Sequence, residues 1–145
     1  MKKIVVTGGN GFIGSNLVNF LTKKKYFVIN IDKNKYSKGS YLLKNMSKKY
    51  YKFYRLDINS KKIFHILKKY KPTAIFNLAA ETHVDRSIDG PETFIKSNIL
   101  GIFNLLQTFK KHIVKNKNCK LIHISTDEVY GDVLVGRSKE NDPYK

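Results

Sequence analysis

The sequence predicts an α/β fold in which a parallel sheet is doubly wound, with helices on both faces. Short apolar runs rich in β-branched residues alternate with segments whose apolar residues recur at helical spacing. A cluster of glycines stands directly between the first such run and the first helical segment. Strands that alternate with helices form right-handed βαβ units, which build a parallel sheet. The 145 residues, of which 41% are hydrophobic, are enough for one domain with a buried core.

The first part of the chain is expected to contain three strands and a helix. Lys3–Thr7 is short and almost entirely apolar, which is typical of a central strand buried on both faces. A helix is expected from Phe12 to the lysines at 23–25, whose positive charge suits a helix C-terminus. The apolar runs Tyr26–Ile31 and Tyr51–Leu56 predict the second and third strands.

The rest of the chain continues this alternation. Residues 33–50 form a polar connection in which Tyr41–Met46 is expected to be a short helix, and a second helix must end before Pro72. The longest helix is expected to begin near Pro91, because proline suits the first helical turn. The remaining predictions are strands Ala74–Leu78 and Lys120–Ser125, and an apolar face on the longest helix made of Ile95, Ile99, Ile102, Leu106, Phe109 and Ile113.

The charge of the chain does not by itself identify a partner. Lys and Arg number 28 against 11 Asp and Glu, which gives a formal charge of +17, and lysines are spread along the whole chain. The segment Lys48–Arg55 combines basic and aromatic residues, as a nucleic-acid site would. Its alternation has the period of a strand, however, so we expect no nucleic-acid partner.

Several other classes of protein are also disfavoured. No apolar run approaches the roughly 18 residues that span a bilayer, so no membrane partner is expected. Met1–Lys3 leads directly into the first strand without a signal-peptide core, which predicts a cytoplasmic location. Cys119 is the only cysteine, and the four histidines are not closely paired, so neither a disulfide nor a metal site is expected.

The glycine cluster predicts a dinucleotide site. Gly8 and the pattern Gly9-x-Gly11-x-x-Gly14 lie between the first strand and the first helix, where missing side chains let the backbone approach a pyrophosphate. Asp32 ends the second strand, where a carboxylate accepts hydrogen bonds from ribose hydroxyls and repels a 2′-phosphate. NAD is therefore expected rather than NADP, although the neighbouring Lys33 and Lys35 could accommodate a phosphate.

Further motifs follow the later strands. They are Asp57-Ile58, Leu78-Ala79-Ala80-Glu81-Thr82-His83-Val84-Asp85-Arg86-Ser87, Ser97-Asn98-Ile99-Leu100-Gly101 and Ser125-Thr126-Asp127-Glu128-Val129-Tyr130-Gly131. With the glycine segment, they make the chain resemble the extended short-chain dehydrogenase/reductase family, and within it the nucleotide-sugar 4,6-dehydratases. The resemblance implies a Rossmann-type sheet with NAD as cofactor and a nucleotide sugar, such as dTDP-glucose, as substrate.

The resemblance also implies the residues of the site. Phe12 and Ile13 would join Gly8, Gly11 and Gly14 at the cofactor, and Thr82 and Thr126 would contact the sugar nucleotide. The other cofactor contacts that it implies are Asp32, Lys33, Asn34 and Lys35 at the adenosine ribose, Asp57 and Ile58 at adenine, and Leu78, Ala79, Ala80, Glu81, Thr82 and Ser97 towards the nicotinamide ribose.

The paired carboxylates Asp127 and Glu128 distinguish elimination chemistry from the chemistry of related epimerases. In the mechanism that the resemblance implies, NAD⁺ takes hydride from sugar C4 and Glu128 removes the proton at C5. Asp127 protonates the departing C6 hydroxyl, hydride returns to C6, and Thr126 hydrogen-bonds the C4 oxygen. The alternative for these carboxylates is a structural one, in which they cap the following turn.

One catalytic element of the family is missing from the sequence. Its Tyr-x-x-x-Lys pair, in which the tyrosine deprotonates the C4 hydroxyl, does not occur among the 145 residues, although Glu140–Lys145 looks like the approach to it. We therefore expect residues 1–145 to form an incomplete Rossmann domain, truncated before its later strands and the C-terminal substrate domain. Such a chain is expected to be inactive alone.

Other functions stay open at this point. The parent could be another epimerase, dehydratase or decarboxylase of the same family, and only a dehydratase expels the C6 oxygen. A non-catalytic NAD-binding module would bind the cofactor without turnover. The resemblance further implies that the parent enzyme is a homodimer that pairs through the helix at 91–115.

Overall fold

The computed structural model describes residues 1–34, 39–83, 88–133 and 135–145. Five parallel strands form one sheet in the order β3-β2-β1-β4-β5, so the first strand lies at the centre. The predicted doubly wound parallel sheet is thereby confirmed. The strands are β1 (Lys3–Thr7), β2 (Phe27–Asp32), β3 (Tyr51–Arg55), β4 (Ala74–Asn77) and β5 (Lys120–His123).

Helices connect the strands, and a π-helical turn joins two of the helices between β4 and β5. The helices are α1 (Phe12–Lys23), α2 (Lys62–Tyr70), α3 (Pro91–Phe94) and α4 (Ile102–Ile113), with a π-helical turn over Ile95–Gly101 that joins α3 to α4, and 3₁₀ helices at Ser40–Leu43 and Asp127–Tyr130. No helix among the described residues is long and apolar enough to cross a membrane.

The core has two halves because alternate residues of each strand point to opposite faces of the sheet. Val5, Ile29 and Ile75 pack on one face with residues of α2 and α4. Val6 and Val28 pack on the other face against α1. Burial on both faces explains why the central strands are almost uninterrupted apolar runs.

Element boundaries differ slightly from the predicted ones. β2 begins at Phe27 rather than Tyr26, and β3, β4 and β5 end one or two residues earlier than predicted. The short helix in the connection is a 3₁₀ helix over Ser40–Leu43, and it is anchored by the buried side chain of Leu43. The first residue after each of the strands β3, β4 and β5 still donates its N–H to the neighbouring strand, Leu56 to Asp32, Leu78 to Thr7 and Ile124 to Asn77.

The predicted apolar face of the longest helix is partly wrong. Ile99 and Leu106 are 61% and 48% exposed, whereas Leu105, which was not predicted to face the core, is 1% exposed. The π-helical turn explains the difference, because i→i+5 hydrogen bonds shift the residues that follow out of the α-helical phase. Phe109 and Ile113 do pack against the core, as predicted.

Candidate functional site

A cavity of about 590 Å³ lies at the carboxyl ends of the strands. Ligands in open parallel sheets bind at this edge. The loops that follow β1, β2, β3 and β4 and the π-helical turn all contribute to its lining. The lining residues are Gly8, Gly11, Phe12, Ile31, Asp32, Lys33, Asn34, Leu56, Asp57, Ile58, Leu78, Ala79, Ala80, Glu81, Thr82, His83 and Ser97.

The glycine loop needs three of its glycines for close packing, and a Cβ at Gly9 would lie 2.2 Å from Oδ1 of the buried Asn30. Gly8 has a φ of +69°, and a Cβ there would lie 2.6 Å from the backbone nitrogen of Ala79. A Cβ at Gly14 would lie 2.2 Å from the carbonyl oxygen of Gly8. At Gly11 a Cβ would lie 3.3 Å from the carbonyl oxygen of Gly8, which is a tight contact. Gly11 itself lines the cavity, so the absence of a side chain there lets a ligand approach the backbone.

The start of α1 is suited to an anion. Its first turn contains no acidic residue, and no side chain caps its first amide groups. The first N–H groups of a helix have no partner within the helix, and the helix dipole places partial positive charge beside them. Together with Gly11, which lines the cavity without a side chain, this end of α1 forms a cradle that fits a pyrophosphate.

Asp32 is fixed by backbone amides on both of its oxygens. The Asn10 N–H donates to Oδ2 over 2.9 Å, and the Asn34 N–H donates to Oδ1 over 2.8 Å. Burial raises the pKa of Asp32 above its ordinary value, and the two amides and Lys33 oppose that rise. The carboxylate keeps further lone pairs on each oxygen for the hydroxyls of a ribose.

Lys33 forms an ion pair with Glu81. Lys33 follows β2 and Glu81 follows β4, so the pair crosses the cavity above the end of β1, which lies between these strands. The Lys33 ammonium is thus directed towards Glu81. This placement disfavours the predicted contact between Lys33 and a 2′-phosphate, because the ammonium already has a carboxylate partner.

Asn98 holds the loop that carries Glu81. The Glu81 N–H donates to Asn98 Oδ1, and Asn98 Nδ2 donates to the Glu81 carbonyl oxygen, both over 2.9 Å. This two-point contact ties the end of β4 to the π-helical turn. Asn98 belongs to the motif Ser97–Gly101, but no role in the site was predicted for it.

A chain of polar side chains lies at the carboxyl ends of three strands. The Thr7 hydroxyl donates to Asn77 Oδ1, and Asn77 Nδ2 is 2.9 Å from His123 Nδ1. Thr7 and Asn77 are buried, so these bonds satisfy groups that would otherwise be costly to remove from water. They link β1, β4 and β5 in register where the loops of the site begin.

The cavity brings together most, but not all, of the residues predicted to bind a cofactor. Ile13 is exposed and Gly14 is buried under the loop, and neither lines the cavity. Lys35 lies outside the described residues, as do Val84–Ser87 of the motif after β4. Ile31, Leu56 and His83 line the cavity although they were not predicted to do so. Their positions at strand ends and beside a motif are the signal that could have found them.

The three predicted catalytic residues lie outside this cavity. Thr126 precedes the 3₁₀ helix after β5, and the Glu128 N–H donates to its hydroxyl over 3.4 Å. The Thr126 hydroxyl is also 3.1 Å from Asp127 Oδ1. All three side chains are exposed to solvent. Thr126, and neither carboxylate, is therefore the residue that caps this helix.

No group of three or more metal-ligating side chains occurs in the described part of the chain. The one cysteine is free and buried in the core. The residues of the cavity instead supply backbone amides, carboxylates, small side chains and one lysine. This set, on this sheet, defines a Rossmann-type dinucleotide-binding domain.

Comparison with known proteins agrees with that class and narrows it. The family model described as GDP-mannose 4,6 dehydratase matches residues 5–145. The chain belongs to this family of nucleotide-sugar dehydratases.

Individual relatives cover almost all of this chain. The dTDP-glucose 4,6-dehydratase of Haemophilus influenzae is 40% identical over 99% of this chain and 46% of its own length. A dTDP-glucose 4,6-dehydratase structure from Streptomyces venezuelae, with NAD bound, has a TM-score of 0.82 at 33% identity, covering 99% of this chain and 45% of that one. A UDP-glucose 4-epimerase structure from Thermotoga maritima, with UDP-glucose, has a TM-score of 0.80 at 33% identity, covering 99% of this chain and 44% of that one. The chain thus spans less than half the length of these relatives.

Proposed function

We propose that this chain is the N-terminal, NAD-binding part of a dTDP-glucose 4,6-dehydratase. The observation that carries the proposal is the cavity in which Gly11 and the uncapped start of α1 lie beside the fixed carboxylate of Asp32. Relatives with this activity match nearly the whole chain. A homodimeric parent and a cytoplasmic location stay predictions.

The residues of the cavity fit NAD. The start of α1 would hold the pyrophosphate, Asp32 the adenosine ribose, and Asp57 with Ile58 the adenine. The ion pair between Lys33 and Glu81 favours NAD further, because it draws the lysine away from a 2′-phosphate. When bound, NAD would supply the acceptor for the hydride of sugar C4 and return that hydride to C6.

We assign the elimination step to Thr126, Asp127 and Glu128, which follow β5. Glu128 would remove the proton at C5 of the 4-keto sugar, and Asp127 would give a proton to the C6 hydroxyl, which leaves as water. Thr126 would donate a hydrogen bond to the C4 oxygen. In the described chain these side chains are exposed, so the substrate and the remainder of the parent would have to enclose them.

The chain is proposed to supply only part of the catalytic machinery. It spans less than half of its relatives and contains no Tyr-x-x-x-Lys pair. The downstream part of the parent would supply this pair, the later strands and the substrate domain. The isolated chain is therefore expected to bind NAD without converting dTDP-glucose.

A second candidate is a nucleotide-sugar 4-epimerase, because an epimerase structure aligns almost as well as a dehydratase structure. The paired carboxylates after β5 favour the dehydratase, since elimination needs an acid and a base and epimerisation expels no oxygen.

A non-catalytic NAD-binding module is a third candidate, and it predicts no turnover under any condition.

The first experiment measures binding of NAD to the purified chain by isothermal titration calorimetry. We expect NAD to bind and NADP to bind at least tenfold more weakly. Gly11→Val should abolish binding, because its side chain would occupy the part of the cavity that Gly11 lines, and thermal melting shows that the variant is folded. Loss of NAD binding in the unsubstituted, folded chain would overturn the proposal. A basic nucleic-acid binder would instead bind oligonucleotides in a salt-dependent way that Gly11→Val leaves unchanged.

The second experiment tests the chemistry. Residues 1–145 are fused to the downstream part of the Haemophilus influenzae relative, and dTDP-glucose is supplied. We expect a 4-keto-6-deoxy product, with a rate that falls about 10²-fold to 10⁴-fold in Glu128→Gln. Formation of the 4-epimer with the C6 oxygen retained would contradict the dehydratase and support the epimerase.

A further inference from the structure

We propose that Asn59 is a positioning residue, which aims the Asp57 carboxylate at the adenine base and joins the adenine end of the cleft to the π-helical turn. This inference rests on the proposed function, because it takes an adenine dinucleotide as the ligand. Asn59 does not line the cavity itself, so its effect on the ligand would pass through Asp57.

Asn59 binds one oxygen of Asp57 twice. Its backbone N–H donates to Asp57 Oδ1 over 2.8 Å, and its side-chain Nδ2 donates to the same oxygen over 3.0 Å. Among the residues that the structure describes, none donates to the second oxygen, Oδ2. Because Asp57 lines the cavity, the carboxylate is held by one oxygen and keeps the other for a ligand.

A fixed carboxylate oxygen selects a base that presents a donor. Adenine carries an exocyclic N6 amino group, whereas a purine with a carbonyl at that position presents an acceptor. The free Oδ2 would accept a hydrogen bond from the amino group and would repel a carbonyl oxygen. The orientation that Asn59 imposes on Asp57 would therefore make the site selective for adenine over a purine with a carbonyl group.

The same amide of Asn59 reaches the π-helical turn. Asn59 Nδ2 donates to the Lys96 carbonyl oxygen over 2.9 Å, and Asn104 Nδ2 donates to Asn59 Oδ1 over 2.8 Å. Both amide hydrogens and the amide oxygen of Asn59 are thus used. Asparagine suits this position because one short side chain supplies two donors and an acceptor.

Packing beside Asn59 adds a second contact between this loop and the turn. A Cβ at Gly101 would lie 2.4 Å from Ile58 Cδ1, so only glycine lets the turn come so close to Ile58. The turn also carries Ser97, which lines the cavity, and Asn98, which holds the Glu81 loop. Asn59 therefore connects the adenine end of the cavity to the π-helical turn, and this turn holds the Glu81 loop at the other end of the cavity.

The test compares two dinucleotides, NAD and nicotinamide hypoxanthine dinucleotide, by titration calorimetry on the full chain. The second ligand replaces the N6 amino group with a carbonyl oxygen. We expect the unsubstituted chain to prefer NAD, and Asn59→Ala to lower that preference about threefold to tenfold. Asn59→Asp keeps the size of the side chain but removes its donors, and it should lower the preference likewise. Thermal melting shows that each variant is folded.

Control variants separate base reading from a general loss of stability. Asn116→Ala removes an asparagine that bonds the His112 carbonyl at the end of α4, far along the chain from the site, and should leave the preference unchanged. In Asp57→Asn, which should itself lose the preference, adding Asn59→Ala should lower it no further, because Asn59 acts through Asp57.

The outcomes distinguish this inference from the proposed function. If the folded chain binds neither dinucleotide, the proposed function fails and the inference fails with it. If the chain prefers NAD and both Asn59 variants keep the same preference, the inference alone is overturned. A reduced preference in both Asn59 variants, with Asn116→Ala unchanged, supports it.

Discussion

At the scale of single residues, His112 makes stability depend on pH. Its side chain is 4% exposed, and Nε2 has no hydrogen-bond partner among the described residues. Burial lowers the pKa of His112 below its ordinary value of 6.5, because the folded chain disfavours the charged ring. As the pH falls below about 6.5, the unfolded chain gains a proton that the folded chain resists. We expect the free energy of unfolding to fall from pH 7 to pH 5, as measured by urea denaturation.

His112→Leu should make this decline smaller, because the substituted chain has no buried group to protonate. His65→Leu removes an exposed histidine of α2 and should leave the decline as it is. The slope with pH is compared, so a uniform loss of stability from imperfect packing of leucine does not affect the result. An unchanged slope in His112→Leu would show that another group is responsible.

Local requirements made some residues of the site predictable. Gly8, Gly14 and Asp32 stand in a strand–loop–helix unit whose backbone geometry demands those residue types in that order. Asn98 and Asn59 were not assigned roles, because their partners Glu81 and Lys96 lie 17 and 37 residues away. An asparagine that bonds a distant backbone group looks the same in a sequence as one that faces solvent.

At the scale of elements, the strands and the extent of the long helix from Pro91 followed from the sequence, but the buried face of that helix did not. Apolar residues occur on two faces of the segment from Ile95 to Ile113, and the sequence alone does not say which face meets the sheet. The π-helical turn decides this, since it changes the phase between α3 and α4. Its Lys96 carbonyl accepts from Asn59 and its Asn98 side chain bonds the Glu81 backbone, so the turn depends on tertiary structure and carries no local signal.

The end of α1 offers a direct test of how backbone conformation limits stability. Lys25 has a φ of +62°, and its N–H donates to the Thr22 carbonyl while the Tyr26 N–H donates to the Leu21 carbonyl. This is the Schellman arrangement, in which glycine is the usual residue at the left-handed position. Lys25→Gly should raise the free energy of unfolding by about 0.5–1 kcal/mol, because it removes the steric cost of that conformation.

Lys24 provides the matched control for that substitution. It is the neighbouring lysine, with a φ of −79°, and therefore gains nothing from glycine. Lys24→Gly should lower the free energy of unfolding by roughly 0.5–1 kcal/mol. Urea denaturation measures both changes, and a loss of stability in Lys25→Gly would contradict the assignment.

At the scale of the whole molecule, the parallel sheet was predictable because alternating strand and helix patterns admit few topologies. The position of the cavity followed from that topology, since ligands bind at the carboxyl ends of the strands. The catalytic part was harder to place, because Thr126, Asp127 and Glu128 follow β5 at the edge of the described sheet. These three residues lie outside the cavity, so the topology that places the cavity does not say what encloses them.

Exposed apolar side chains form a stripe along the π-helical turn and α4. The stripe consists of Ile95, Ile99, Phe103 and Leu106, which are 48–61% exposed and lie three or four residues apart. A contiguous apolar stripe on a helix is typical of an interface, and a two-fold pairing would bury the same stripe of both copies. The homodimer predicted for the parent would pair in this way.

Sedimentation velocity over a range of concentrations tests the pairing of this stripe. The chain is expected to sediment as a dimer of its 16.8 kDa unit. Ile99→Lys places a charge in the middle of the stripe and should raise the dissociation constant at least tenfold, because each buried apolar side chain contributes about 1.5–3 kcal/mol. Tyr41→Lys changes a residue that is 73% exposed on the 3₁₀ helix Ser40–Leu43, away from the stripe in the chain, and should leave association unchanged. A monomer at all concentrations, or equal weakening by both substitutions, would contradict pairing through this stripe.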